Sequence, residues 1–279
     1  MHFTGIVKIG GALGNDPRPL LDDLSSRVAR GERWALVHGA SGIMDTLAKA
    51  CGLQPRYVTS PSGYRSRFLG EAERDLFVSA ALSVSATLSC ELFTRGVRAS
   101  VLHPGLARSA TGTRKEALRS VEDGRVRILH GNTSGTTRSV DPEALRRAWA
   151  MGTVPLLPPL ALDRDGAGLL NVDGDRLAAA AAAAVRADVL VILSNVPGLL
   201  ADPADPESLV ERAGLEEWER LENMARGNMK RKLLACREAL EGGLERVCIA
   251  DSRVDRPLSR ALEGRGTTLC QAVYTEAAV

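Results

Sequence analysis

Short apolar runs alternate along the chain with stretches of helical periodicity, and glycines stand between them. Residues 3–9 and 34–37 are apolar runs that end at glycine-containing turns, and 19–30 and 43–51 follow with apolar positions at helical spacing. A buried strand, a glycine turn and a helix, in that order, predict parallel βαβ units. The chain therefore begins as an α/β protein.

The same patterns continue to residue 250. They predict helices over 71–96, 142–151, 176–186 and 229–241 and strands over 99–102, 154–157, 189–193 and 247–250, the last being the final core strand. The stretch 52–70 is predicted to be a loop, and 103–139 to be loop and hairpin with 125–129 as the second arm. Seven consecutive alanines in 176–186 predict a helix packed closely against a sheet. Pro158-Pro159 is the predicted boundary between two lobes.

Composition excludes several classes of protein. The 279 residues are 44% hydrophobic and 25% charged with a net charge of +2, which is typical of a globular protein and does not indicate nucleic-acid binding. No apolar run approaches the ~20 residues that span a bilayer, and the beginning of the chain lacks the pattern of a signal peptide. Five scattered cysteines without a CxxC pair indicate neither a disulfide framework nor a zinc site. We therefore expect a cytoplasmic protein without nucleic-acid or membrane partners.

Two glycine turns carry the first candidate chemistry. Lys8 ends the first predicted strand beside Gly10 and Gly11, and His38-Gly39-Ala40-Ser41-Gly42 follows the second. Ligands bind at the carboxyl ends of parallel strands, where glycine lets the backbone approach a phosphate. The alternatives are a surface lysine beside a tight turn and a plain strand-to-helix turn. His38 is either a structural hydrogen-bonding group or a base. The phosphate-loop and dinucleotide glycine motifs are both absent from the sequence.

Two further clusters precede helices. Asn171-Val-Asp173-Gly-Asp175 suits Mg²⁺ binding, the orientation of lysines, or simple capping of the next helix. Lys230, Arg231 and Lys232 place three cations at the start of a helix, where the helix dipole disfavours them. An anionic ligand would explain that placement, and a solvated basic patch is the alternative. Together the clusters supply what phosphoryl transfer requires.

In their order, these motifs resemble those of a known family. KIGG, HGAS, NVDGD, SNVPGLL and GNMKRK, spread over about residues 5–269, are similar to the motifs of the amino acid kinase family, in its acetylglutamate kinase branch. The resemblance implies an α/β fold, a three-layer αβα sandwich with an open, mainly parallel sheet and two lobes. Residues 1–158 would bind the acceptor and form a dimer, and 159–279 would bind ATP.

The resemblance also implies roles for individual residues. Lys8, Asp175 and Lys232 would be catalytic, with Asp175 organising the two lysines. Gly10 and Gly11 would bind phosphate, and Gly11, Gly39 and Ala40 would offer backbone N–H groups. The acceptor would contact Gly39, Ala40, Ser41, Arg67, Asn171 and Asp173. The nucleotide would contact Ser194, Asn195, Val196, Gly198, Leu199 and Met229. Mg²⁺ would arrive with ATP, and no metal ligand would come directly from the protein.

Within the branch, one subgroup fits best. HGAS in place of HGGG, GTRK at 112–115 and HGNTSGT at 130–136 resemble kinases that act on α-aminoadipate attached to LysW, a small acidic amino-group carrier protein. Residues 46–70 and 92–115 contain arginines and lysines but no acid, so Arg65, Arg114 and Lys115 are candidate carrier contacts. Ala40, where glycine is common, is expected to strain its turn if φ is positive.

This subgroup implies an ATP-dependent kinase that phosphorylates the side-chain carboxylate of carrier-linked α-aminoadipate in lysine biosynthesis, acting as a homodimer. Three alternatives remain open. The acceptor could be carrier-linked glutamate or free N-acetylglutamate, the latter in arginine biosynthesis, or the chain could be a non-catalytic sensor of amino acids or nucleotides.

Overall fold

The computed structural model describes residues 2–61, 63, 65–122, 125–166 and 168–272, except the side chain of Arg65. Within them, the strands in chain order are β1 (Thr4–Ile9), β2 (Arg33–His38), β3 (Tyr57–Thr59), β4 (Arg65–Arg67), β5 (Ala99–Val101), β6 (Ala110–Arg114), β7 (Ala117–Glu122), β8 (Arg125–His130), β9 (Gly135–Val140), β10 (Val154–Leu157), β11 (Leu160–Asp163), β12 (Leu169–Asn171), β13 (Val189–Ser194), β14 (Arg212–Gly214), β15 (Arg246–Asp251) and β16 (Thr267–Cys270). The helices are α1 (Arg18–Ala29), α2 (Ser41–Ala50), α3 (Glu71–Thr94), α4 (Pro104–Ala107), α5 (Pro142–Ala150), α6 (Gly174–Val185), α7 (Trp218–Met224), α8 (Asn228–Glu241) and α9 (Pro257–Leu262).

An eight-stranded sheet forms the middle layer, in the order β14-β16-β15-β13-β1-β2-β10-β5. Its pairs are parallel except for β15 with β16. One face packs against α1, α3 and α9, and the other against α5, α6 and α8. The predicted three-layer α/β sandwich with a mainly parallel sheet is confirmed.

The alanine run lies in α6, on the face of the sheet shared with α8. Ala178, Ala179, Ala181 and Ala182 are buried, and they contribute to the largest of the three core clusters. Because alanine has the smallest side chain that still favours a helix, α6 can lie close to both the sheet and α8. The close packing predicted from the sequence is therefore present.

Several strands were not predicted. The stretch 52–70 contains the β3–β4 hairpin, 103–139 contains β6 and β9 besides the predicted hairpin β7–β8, and β16 follows the strand expected to be last. β3 and β4 have three residues each, and Arg65–Arg67 reads RSR, so no apolar run marks them. Tertiary pairing rather than local sequence selects such strands.

A four-stranded sheet, β12-β11-β6-β9, lies beside the large one and straddles Pro158-Pro159. β6 and β9 precede these prolines, whereas β11 and β12 follow them. The carbonyl of Pro159 accepts a hydrogen bond from Val172 N at 3.0 Å. The two halves of the chain are thus joined by strand pairing at the predicted boundary.

Among the described helices, α3 alone has the length and apolar composition that could cross a membrane, which differs from the expectation that no such stretch exists. Phe77, Ala80, Ala81, Leu88 and Leu92 of α3 are buried against the rest of the fold. Of that apolar stretch, 33% is buried inside the fold.

Candidate active site

A buried carboxylate lies between two lysine side chains. Asp175 Oδ1 is 2.7 Å from Nζ of Lys8, and Asp175 Oδ2 is 3.2 Å from Nζ of Lys232. The side chains of Lys8, Asp175 and Lys232 are 10%, 9% and 11% exposed. The structure therefore brings together the three residues predicted to be catalytic, although they are far apart in sequence.

Strand alternation and two helix starts create this arrangement. Ile6 faces the α6 and α8 side of the sheet and Val7 faces the opposite side, so Lys8 returns to the side of Ile6. Asp175 lies in the first turn of α6, and Lys232 is near the start of α8. The three side chains converge because both helices begin at the same edge of the sheet as the carboxyl end of β1.

Asp173, predicted to contact the acceptor, caps α6. Its Oδ1 accepts hydrogen bonds from the backbone N–H groups of Asp175 (2.9 Å) and Arg176 (3.1 Å). Such a cap fixes the first turn of the helix. Gly174 lies against Lys8, since a Cβ there would be 3.4 Å from Lys8 Cε. The NVDGD segment thus positions Asp175 beside Lys8.

Electrostatics keep the central carboxylate ionised. Burial alone would raise the pKa of Asp175, but the ammonium groups of Lys8 and Lys232 outweigh it and lower that pKa to about 2. Burial, together with the charge of Lys8, lowers the pKa of Lys232, and Asp175 opposes that shift. Two cations around one anion leave a net positive charge, which suits phosphate oxygens.

The two predicted glycine turns touch each other beside Lys8. Ile9 pairs with His38 in the parallel β1–β2 ladder, so both turns leave the same edge of the sheet. A Cβ on Gly11 would lie 2.1 Å from the carbonyl carbon of Gly39, and a Cβ on Gly39 would lie 2.5 Å from Gly11 N. Only glycine permits this approach of two backbones, and we call the two turns together the glycine cradle.

Two expectations about these turns are corrected. The N–H of Gly39 donates to the carbonyl of Ile9 at 3.0 Å, so Gly39 contributes close approach rather than a donor to a ligand. Ala40 has φ −137°, so the strain expected of a non-glycine residue is absent. Ala40 is buried at the start of α2, whereas Ser41, the first residue of that helix, is exposed.

His38 is a structural hydrogen-bonding group. Its ring is buried, with Nε2 2.7 Å from Ser85 Oγ and Nδ1 3.1 Å from the carbonyl oxygen of Gly39. Burial, aided by the charge of Lys8, lowers the pKa of His38 to about 4. The two ring contacts tie the end of β2 to α3 and favour the structural interpretation of His38 over that of a base.

The predicted acceptor residues Arg67 and Asn171 come from the smaller sheets. Arg67, in β4, forms an ion pair with Asp45 of α2 at 2.5 Å, and its buried Nε has no hydrogen-bond partner among the described residues. Asn171 ends β12 and bridges to Ser134. Asp45 was not identified from the sequence, because only the fold brings α2 beside β4.

The candidate carrier contacts fall into different environments. Arg114 Nε donates to buried Asp163 Oδ2 at 3.0 Å, so Arg114 is held within the fold rather than extended into solvent. Lys115 is exposed, and partial desolvation and the charge of nearby Arg176 lower its pKa. The side chain of Arg65 lies outside the described part of the structure.

The candidate nucleotide residues follow β13 and begin α8. Ser194 accepts a hydrogen bond from Ser252 N at 2.7 Å through its carbonyl, and Leu199 N donates to Thr267 Oγ1 at 2.8 Å. Asn195 is exposed and Val196 half-buried, whereas Gly198 and Leu199 are buried in the core. Met229 is half-buried beside the same core cluster. Leu199 can therefore shape a pocket from behind but presents little surface to a ligand.

Among the described residues, no group of three or more His, Cys, Asp or Glu side chains could hold a metal ion. Asp175 is occupied by lysines, and Asp173 by backbone N–H groups. These contacts favour the orientation of lysines and the capping of the next helix, two of the roles considered for the NVDGD segment.

Two glycine turns in contact, two lysines and a shared carboxylate lie together at the edge of a parallel sheet, which is an arrangement that phosphoryl transfer can use. Residues 4–251 match the amino acid kinase family, and the chain belongs to that family.

Curated relatives cover nearly the whole chain. A LysW-aminoadipate kinase of Deinococcus radiodurans is 40% identical over 268 residues, 95% of this chain and 90% of the relative. A LysW-aminoadipate kinase of Thermus thermophilus is 37% identical over 95% of this chain and 99% of its own. A Metallosphaera sedula relative named LysW-aminoadipate/LysW-glutamate kinase is 32% identical over 95% of this chain and 99% of the relative.

A solved structure shares the fold. N-acetylglutamate synthase from Neisseria gonorrhoeae, complexed with coenzyme A and N-acetylglutamate, superposes with a TM-score of 0.79 at 26% identity. The match covers 98% of this chain and 60% of that one, so the chain spans less than two thirds of the synthase.

Proposed function

We propose that this chain transfers the γ-phosphoryl group of ATP to the side-chain carboxylate of α-aminoadipate attached through its amino group to LysW, a step of lysine biosynthesis. The observation that carries the proposal is the Lys8–Asp175–Lys232 arrangement beside the two glycine turns. The names of the relatives at 37% and 40% identity supply the acceptor.

The reaction needs no base from the protein. An acceptor carboxylate is already ionised at neutral pH and attacks the γ-phosphorus directly, while the bond to the β-phosphate oxygen breaks. The products are an acyl phosphate and ADP. A neutral, fully engaged His38 agrees with this requirement.

Lys8 and Lys232 stabilise the negative charge that shifts during phosphoryl transfer. Lys8 lies at the strand end beside the glycine cradle and binds oxygens of the transferred group, and Lys232 stabilises charge on the leaving side. Asp175 holds both ammonium groups in place before the nucleotide arrives, so little reorganisation accompanies the transition state.

Mg²⁺ brought by the nucleotide would neutralise charge on the ATP phosphates. Lys8, Lys232 and the glycine cradle would position those phosphates for transfer.

The two lobes divide the substrates. Residues 1–158 bind the acceptor through the turn after β2 and through Arg67, and 159–279 bind ATP through the segment after β13 and the start of α8. Lys8 lies at the centre of the sheet, where β1 pairs with β13. This placement gives Lys8 access to both substrates.

The protein acts as a cytoplasmic homodimer that contacts LysW beside the acceptor site. Phe93 of α3 is 71% exposed, and β5, with Val101 exposed, forms an edge of the large sheet. Exposed apolar residues beside an open edge strand favour pairing of two copies through residues 1–158. Lys115 and Arg65 remain candidate carrier contacts, whereas the ion pair with Asp163 leaves Arg114 less available.

Carrier-linked glutamate is a second candidate acceptor, favoured by the name of the relative at 32% identity. Glutamate is one methylene shorter, which is worth only about 1–3 kcal/mol of discrimination. Free N-acetylglutamate and a non-catalytic sensor fit less well, since the relatives are named for LysW-linked substrates and Lys8, Asp175 and Lys232 are all in place.

ATP consumption measured side by side with LysW-linked aminoadipate, LysW-linked glutamate and N-acetylglutamate tests this assignment. Turnover with the linked acceptors alone is expected, and their ratio reports chain-length preference. Efficient turnover of N-acetylglutamate would assign the chain to the arginine pathway, and no turnover with any acceptor would favour the sensor.

A further inference from the structure

The guanidinium of Arg67 has one ion pair and one buried N–H group without a partner. Its Nη1 is 2.5 Å from Asp45 Oδ1, whereas its Nε is buried and has no hydrogen-bond partner among the described residues. In a planar guanidinium, the N–H of Nε lies on the edge shared with Nη2, away from Nη1. Asp45 therefore holds one side of the group and leaves the edge that contains Nε to a different acceptor.

The chemistry of that edge favours a second carboxylate. The side chain of Arg67 is 13% exposed, and a buried donor on a charged group costs free energy when it stays unpaired. A carboxylate binds a guanidinium edge through two parallel hydrogen bonds, which are short and strong because both partners are charged. An amino-acid acceptor whose amino group is acylated still carries a free α-carboxylate, and this group would satisfy the buried Nε.

The strand that carries Arg67 gives its side chain little support. β4 has three residues and pairs with β3 in a two-stranded sheet. Leu69, two residues beyond Arg67, is buried in the same core cluster as Met44 and Ala48 of α2, so the main chain is anchored beside that helix. An arginine side chain loses much rotamer freedom when it is held in one orientation. Asp45, which also lies on α2, provides the contact that selects this orientation.

The helix that carries Asp45 also begins at the glycine cradle. α2 starts at Ser41, directly after the second turn, and Asp45 follows one helical turn later. Gly42 N donates to the carbonyl of Gly11 at 2.6 Å, which ties the first turn of the helix to the loop after β1. Through Asp45, the position of the Arg67 guanidinium is therefore set relative to the cradle.

We propose that Asp45 is a positioning residue for the acceptor. It orients Arg67 so that the edge containing Nε binds the α-carboxylate while the side-chain carboxylate of the acceptor reaches the cradle. This inference rests on the proposed function, because it assumes an acceptor with an α-carboxylate at Arg67. The opposite role, in which Asp45 occupies the place of the acceptor and is displaced by it, is disfavoured because Asp45 contacts Nη1 and not the buried Nε.

The test compares neutral variants of Asp45 with a matched ion pair elsewhere. Asp45→Asn removes the charge at nearly constant size, and Asp45→Ser is a second neutral variant. Asp22→Asn is the control, because Asp22 on α1 also pairs with an arginine of another segment, Arg95, at 2.6 Å. For each protein we would measure kcat, the KM for LysW carrying α-aminoadipate and the KM for ATP. Urea unfolding would compare the stability of the variants.

Both Asp45 variants are expected to raise the KM for the linked acceptor about tenfold, with kcat and the KM for ATP near the wild-type values. This split arises because orientation of Arg67 contributes to acceptor binding and not to stabilisation of moving charge. The control should match the wild type. A lower KM would show that Asp45 competes with the acceptor, and a lower kcat at unchanged KM would place Asp45 in the chemical step. Either result, or wild-type kinetics in both variants, overturns the inference.

A double-mutant cycle with Arg67→Ala shows whether Asp45 acts through Arg67. Asp45→Asn should lower kcat/KM for the linked acceptor about tenfold when Arg67 is present and cause no further loss in the Arg67→Ala protein. A structural defect caused by the loss of Asp45 would lower kcat/KM in both backgrounds. Equal losses in the two backgrounds would overturn the inference.

The choice of acceptor separates this inference from the proposed function. If the wild type phosphorylates N-acetylglutamate and not the linked acceptor, the carrier assignment fails. The same cycle is then measured with N-acetylglutamate, which also has an α-carboxylate. If the wild type phosphorylates neither, Kd values for LysW carrying α-aminoadipate and for N-acetylglutamate, measured by calorimetry, replace KM in the comparison. Binding of neither by the wild type overturns both the inference and the proposed function.

Discussion

Gly11 and Gly39 lie in backbone contact, with room for no side chain between them. A Cβ on Gly11 would lie 2.1 Å from the carbonyl carbon of Gly39 and 2.3 Å from Ala40 N. A side chain at either position would therefore push the two turns apart. This contact places the end of β1, and Lys8 with it, at a fixed distance from the turn that follows β2.

Gly11→Ala is expected to separate the turns and lower the free energy of unfolding by about 1–3 kcal/mol, the usual cost of overpacking. Gly10→Ala is the matched control, because its Cβ would meet only the side-chain nitrogen of Asn15, at 2.7 Å. Urea unfolding of both variants measures the difference. Equal stability of the two would contradict the contact between the turns.

Asp175→Asn removes the charge that holds both lysines and is expected to lower kcat about 10²-fold or more, as loss of transition-state charge stabilisation does. Asp22→Asn is the control, because Asp22 is an exposed aspartate of α1, on the opposite face of the large sheet. Steady-state kinetics with the linked acceptor measures both. Near wild-type kcat in Asp175→Asn would remove the basis for the catalytic assignment.

Arg176 and Glu238 join α6 to α8 by a two-pronged ion pair, with Nε–Oε2 at 2.8 Å and Nη2–Oε1 at 2.5 Å. Because these helices carry Asp175 and Lys232, Glu238→Gln should loosen their alignment and lower kcat several-fold with little change in KM for ATP. Arg237→Ala is the control, since Arg237 pairs with Glu241 on the surface of the same helix. A change in the KM for ATP without a change in kcat would show that Glu238 contributes to nucleotide binding instead.

Burial of His38 makes stability depend on pH. The folded protein keeps His38 neutral with a pKa of about 4, while the unfolded chain binds a proton near 6.5, so acid favours unfolding. Between pH 6.5 and 4 this group should remove about 3 kcal/mol of stability, from about 1.4 kcal/mol per pKa unit.

His38→Asn should flatten that slope when urea unfolding is compared at pH 7 and pH 4.5. His103→Asn, which alters a more exposed imidazole, serves as control. A slope unchanged in His38→Asn would show that another group causes it.

The sequence predicted the elements with strong periodicity and the residues with recognisable motifs. β1, β2, α6 and α8 follow from apolar runs and helical spacing, and Lys8, Asp175 and Lys232 from the motifs around them. The positions of these three residues in the sequence do not show that their side chains meet. Asp175 and Lys232 are 57 positions apart in the chain, and strand pairing brings them together.

Ion pairs between distant elements could not be predicted from the sequence. Asp45 with Arg67, and Arg114 with Asp163, are contacts made by tertiary packing, and neither has a local signature. Arg114 was predicted to face the carrier because only its charge was visible. Ala40 was predicted to be strained because backbone angles depend on the neighbouring turn, which packing sets at an ordinary φ.

Trapping the product shows whether this chain phosphorylates carrier-linked α-aminoadipate. Wild-type protein, ATP and LysW carrying α-aminoadipate would be incubated with hydroxylamine, and the carrier's intact mass measured against a Lys232→Met reaction run in parallel. We expect a hydroxamate on the aminoadipate side chain, formed by the wild type and nearly absent with the variant. An unmodified carrier in the wild-type reaction, with N-acetylglutamate phosphorylated instead, would contradict it.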